Sequence, residues 1–152
     1  MTGDGSTVQA GRWCSAAVMP TPDGRYLMQL RDDKKGILLP NHWALFGGSV
    51  DAGETADDAM RRELQEELEF SAREIIALTE MSVVLPLSPP RRDRLCFYLV
   101  PITEDDIPRM VQHEGAAKRL FTPEELSCEK RVAPWDLAAV LMHAREEALF
   151  HG

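Results

Sequence analysis

Glu63, Glu66 and Glu67 stand at i, i+3 and i+4. At about 100° per residue, that spacing gathers three carboxylates within roughly one-third of a helix circumference. Like charges so placed repel, by a few tenths of a kcal/mol per exposed pair, and partial burial raises at least one carboxyl pKa. A divalent cation removes the conflict. Magnesium takes oxygen ligands, keeps several waters and bridges protein carboxylates to substrate phosphates. The bland alternative is a solvated acidic face, which a lone Glu-x-x-Glu-Glu would favour.

The surroundings decide between the two. Gly48 is followed by five residues and Glu54, then by seven residues, then by Arg62-Glu63-Leu64, one residue, and Glu66-Glu67. Chance agreement at that many fixed positions is on the order of one in a million. The arrangement resembles the Nudix box, with Phe70 at its terminal apolar position. Two positions differ. Glu69 stands where the box has glycine, and Leu45-Phe46-Gly47-Gly48 stands where many members read Leu-Pro-Gly-Gly. A glycine at a helix end supplies a left-handed residue, so Glu69 bears on the helix exit rather than on the metal chemistry.

The resemblance implies an α/β fold, a mixed sheet sandwiched between helices, and hydrolysis of a pyrophosphate bond. It implies magnesium, with manganese as a substitute, on Glu63, Glu66 and Glu67 with help from a backbone carbonyl near Gly47. It also implies that Arg62 pairs with Glu54 and orients the catalytic helix. The general base is either Glu63 or Glu114, since related enzymes recruit an acid from a late loop; without that precedent Glu114 is a solvated loop residue.

Substrate contacts are read from residue type. Trp43 and Phe46 suit stacking on a base, although aromatics beside a Gly-Gly turn are more often core. Arg31 and Arg94, at the ends of expected strands, suit phosphates, with Arg91 and Arg92 in the same basic run. The leading substrate class is a nucleoside diphosphate linked to another group, such as a nucleotide sugar. A close rival is a nucleoside triphosphate cleaved in a nucleotide-cleaning role. A non-catalytic nucleotide sensor is disfavoured, because Glu54, Glu63, Glu66 and Glu67 are all retained.

These groups need a scaffold. Thr55 is a good N-cap, Asp57 and Asp58 suit the positive end of a helix dipole, and Ala56, Met60, Leu64 and Leu68 form one apolar stripe. Strands are expected at 13–19 and 25–31, joined as a hairpin through Pro20–Gly24, then at 75–85 and 95–102, and more weakly at 117–121. Thr122-Pro123 opens a short helix, and 134–150 forms a last one burying Leu137, Val140, Leu141 and Leu149.

The 152 residues suit one domain, 13–152, behind a flexible leader, 1–12. A net charge of −8 argues against nucleic-acid polymers, and an anionic substrate then needs a cation or a local basic patch. Cys14, Cys96 and Cys128 have neither disulfide nor zinc spacing. With no signal-like or membrane-length apolar run, a cytoplasmic protein is expected, alone or as a homodimer.

Overall fold

The structure, a computed structural model, describes residues 7–152. The chain runs β1 (Gln9–Val18), β2 (Tyr26–Leu30), β3 (Trp43–Ala44), β4 (Phe46–Ser49), α1 (Ala56–Leu68), β5 (Ile76–Leu85), β6 (Arg91–Leu99), β7 (Ala117–Phe121), α2 (Pro123–Cys128) and α3 (Pro134–Phe150). A 3-10 helix at Glu104–Arg109 precedes β7.

Successive side chains of a strand face opposite ways, and here both faces are covered. Ala17, Cys96 and Tyr98 enter a core shared with Met60, Leu64 and Leu68 of α1. Their neighbours Val18, Leu95 and Phe97 enter a second core with Ala139 and Val140 of α3. The larger sheet, ordered β4-β1-β6-β5, is mixed, because β1 and β6 run parallel while the other pairs are antiparallel. A smaller antiparallel sheet, β3-β2-β7, lies beside it. The result is the expected α/β sandwich.

α1 begins as its sequence requires. Thr55 Oγ1 accepts the Asp58 N–H at 3.1 Å, and Asp57 and Asp58 occupy the first turn. The apolar stripe is buried, and Glu67 is buried with it. At the far end Glu69 is left-handed, φ 48° and ψ 41°, and the Phe70 N–H closes the turn on the Leu64 carbonyl at 3.3 Å.

Several expectations need correction. Residues 9–12 of the expected leader belong to β1, where Gln9 and Ala10 pair with Arg91 and Arg92 and the Arg12 N–H donates to Asp93 Oδ1; residues 1–6 lie outside the described residues. β1 and β2 meet only at their turn, through Pro20 and Tyr26, and then part into different sheets. The hairpin cannot continue, because both edges of β1 are taken by β4 and β6. Arg91–Arg94 is strand rather than loop, paired with Leu85–Ser82. On α3, Leu149 is 67% exposed; the buried positions are Asp136, Ala139, Val140 and His143. Two of those four are polar, so a count of apolar residues misplaces the face. His143 is accommodated by the Tyr26 hydroxyl, 2.7 Å from Nδ1.

Candidate active site

β4 brings two glycines to places where no side chain fits, Gly48 against α1 and Gly47 against β1. A Cβ on Gly48 would lie 2.5 Å from the Glu63 carboxylate, and one on Gly47 would lie 2.0 Å from the Ser15 carbonyl oxygen. Beside them Arg62 acts as a hub. It grips Glu54 with two parallel bonds, Nε to Oε2 at 2.8 Å and Nη2 to Oε1 at 2.9 Å. It also reaches the Ser49 carbonyl at 2.9 Å, Glu63 at 2.9 Å and Glu66 at 3.1 Å. The Arg62 guanidinium, helped by the Asp51 N–H, holds the Glu54 carboxyl down at about 2.

Glu67 is the anomaly. It is 2% exposed, and neither carboxylate oxygen has a hydrogen-bond partner among the described residues. Burial pushes its pKa far above the usual carboxylate range, and the facing Glu63 and Glu114 add to the shift. Leaving such a group unmatched is costly. Among the described residues no three carboxylate, imidazole or thiolate side chains already converge as metal ligands, and Glu66 turns outward onto Arg62, its side chain 59% exposed. The donors nonetheless fit a hard divalent cation: two orphaned Glu67 oxygens beside the Glu63 carboxylate, with Glu66 on the neighbouring position of the same helix.

Two cavities adjoin this cluster. A slot of about 170 Å³ lies on the sheet face away from α1, between Ala16 and Leu95 of the sheet, Leu39 of the β2–β3 loop and Trp135 of α3. Asp136 also lines it, its Oδ2 accepting the Leu45 N–H at 3.0 Å. Burial raises the carboxyl to about 7. Arg12 and the Arg91–Asp93 pair complete the polar wall. The second cavity, about 350 Å³, is a charged basin in which Lys34 and Arg31 face Glu66, Glu67 and Glu114. Arg31 borders both cavities, and its Nε donates to the Leu38 carbonyl at 2.8 Å.

Of the residues singled out in sequence, Gly47, Glu54, Arg62, Glu63, Glu66 and Glu67 gather at the α1–β4 junction. Glu114 and Arg31 join them across the basin. Three do not. Phe46 is 0% exposed in the α1 core, because its place in β4, opposite Ala17, points it there. Trp43 lines neither cavity; its ring meets Phe121 edge-on at 4.9 Å. Arg94 lies on the opposite sheet face from the slot, by strand parity, stacked over Trp13 at 4.9 Å and paired with Glu80 at 2.8 Å. Sequence reading missed Lys34, Trp135, Asp136 and Arg12, whereas Arg91, named with the basic run, lines the slot. The only available signal was Pro134-Trp135-Asp136 opening a helix, and a first-turn aspartate reads first as a capping group.

A family profile, the NUDIX domain, matches residues 11–142. The nucleoside triphosphatase NudI of Escherichia fergusonii is 50% identical over 46 residues, 30% of this chain and 32% of that protein. The chain thus spans about a third of the length of this curated relative. Among solved structures, a MutT protein from Methanosarcina mazei superimposes with a TM-score of 0.76 at 14% identity, covering 93% of this chain and 97% of the other. The dihydroneopterin triphosphate pyrophosphohydrolase of E. coli superimposes with a TM-score of 0.69 at 20% identity, covering 92% and 99%. Likeness at those identities shows the fold, and the profile covers most of the chain: it belongs to the NUDIX domain family.

Proposed function

We propose that this chain is a magnesium-dependent pyrophosphohydrolase of nucleoside triphosphates, releasing the monophosphate and pyrophosphate. The observation that carries the reading is that Arg31 lines both the slot and the basin. The slot offers an apolar floor, the Trp135 ring and the Asp136 carboxyl, which suits a base with a polar edge. The basin is walled by charge, with Arg31 and Lys34 set to hold phosphate oxygens opposite the carboxylates. The similarity over 46 residues to a protein named as a nucleoside triphosphatase agrees with this reading.

Glu63, Glu66 and Glu67, with the Gly47 carbonyl, would hold the metal, and Arg62 keeps the helix face aligned through Glu54. Magnesium or manganese, when bound, neutralises phosphoryl charge and acidifies water. A water attacking in line at phosphorus passes its proton to Glu114, while the P–O–P link breaks and pyrophosphate leaves. Arg31 holds the phosphate chain across the two cavities.

Nucleoside triphosphates, their deoxy forms and nucleotide sugars should be incubated with the protein and magnesium and the products identified. Monophosphate plus pyrophosphate is expected. Monophosphate plus a phosphosugar would instead establish the diphosphate-linked class, and binding without turnover would make the chain a sensor.

A further inference from the structure

Within the box this chain departs from the family pattern at Glu69, and it does so on a left-handed backbone, φ 48° and ψ 41°. Glycine is at ease in that conformation and glutamate is not. The side chain has found a partner: Glu69 Oε2 accepts from His113 Nε2 at 2.8 Å. The same segment is hooked to the end of α1 by its backbone, the Val111 N–H on the Leu68 carbonyl at 2.9 Å and the His113 N–H on the Glu67 carbonyl at 2.8 Å. On its other side the Ala116 N–H meets the Leu30 carbonyl at 2.8 Å. Glu114 is the apex between these anchors, facing Glu66 and Glu67 across the basin.

We infer that Glu69 and His113 are a positioning pair, which fixes the 113–115 loop over the end of α1 and so sets the reach of the Glu114 carboxylate. The inference rests on the reading of Glu114 as proton acceptor. Both partners are half-exposed, and pairs so exposed add little to stability. The pair therefore acts through geometry. A displacement of about 1 Å at a reacting group can cost up to 10²-fold in rate, which leaves room for a kinetic effect without a thermal one.

The test compares Glu69→Gly, Glu69→Gln, Glu114→Gln and the double variant Glu69→Gly/Glu114→Gln, using magnesium and whichever triphosphate the substrate panel selects. Glu69→Gly should melt no lower than the parent, yet lose roughly five- to tenfold in kcat with KM little changed. Glu69→Gln, whose amide oxygen still accepts from His113, should keep most of the parental kcat. The double variant should be no slower than Glu114→Gln alone. Independently of turnover, amide exchange at residues 113 and 114 of the metal-free protein should quicken in Glu69→Gly while Met60 and Leu64 stay protected.

Parental kcat in Glu69→Gly beside a slow Glu114→Gln would overturn the pair's role and leave Glu114 as base. Equal losses in Glu69→Gly and Glu69→Gln, with a lower melting temperature, would make the pair merely structural. Full activity in Glu114→Gln would remove both readings together.

Discussion

A carboxylate in the first turn of a helix is ordinarily a response to the helix dipole, and Asp136 occupies the first turn of α3. Its burial makes it something else. Folded, it holds its proton to about pH 7, whereas the unfolded chain releases it near 3.8. Across that window the folded state binds more protons, so this residue's contribution to stability falls as pH rises from 4 to 7. Asp136→Asn keeps an acceptor for the Leu45 N–H but cannot ionise. The variant should therefore gain on the parent with rising pH, by roughly 1–4 kcal/mol at pH 8 relative to pH 4. Urea unfolding of both chains at pH 4, 6 and 8 measures this. Parallel profiles would mean that Asp136 is solvated enough to ionise freely. The sequence marks this residue only as a first-turn aspartate, because the Leu45 N–H that it accepts lies 91 positions away.

Elements were legible where one stretch of chain contains its own instructions. The start of α1 is the clearest case: the Thr55 cap, the acidic first turn and the four-residue apolar stripe all lie within 55–68. Its cap should also be measurable alone. Thr55→Ala removes the 3.1 Å acceptor of the Asp58 N–H and should cost about 1 kcal/mol, lowering the melting temperature by about 2–4 °C in a domain of this size. An unchanged melting temperature would show that the Glu54–Arg62 anchor fixes the helix start without it. Where elements depend on partners, reading failed. The expected hairpin ends at its turn because β6, some 80 residues away, occupies the edge of β1 that β2 would need. Arg91–Arg94 looks like a loop until that same pairing is known, and the strand parity it imposes then sends Arg91 to the slot and Arg94 to the other face.

At the scale of the whole molecule, the box was readable because its glycines, Arg62 and glutamates must sit at fixed spacings to meet, whereas the slot is assembled from seven separate stretches and has no spacing to read. Charge links the two. A chain of −8 that accepts a polyphosphate needs its acidic cluster neutralised first, and the orphaned Glu67 oxygens show where the mismatch is concentrated. Metal binding should therefore appear as stability before any substrate is added. A ligand that binds only the folded state at 100 times its Kd adds about 2.7 kcal/mol, so magnesium at saturating concentration should raise the parental melting temperature by several degrees. In Glu67→Gln that shift should vanish and turnover should drop by orders of magnitude. Its metal-free melting temperature should be equal or higher, because an amide of the same shape removes the cost, at neutral pH, of burying a carboxyl that the fold holds protonated and the unfolded chain ionises. Calcium-free differential scanning calorimetry of both chains, with and without magnesium, gives the comparison directly. If Glu67→Gln keeps the full magnesium shift, the ion binds elsewhere; if it melts much lower without metal, Glu67 is a structural residue and the cluster has been misassigned.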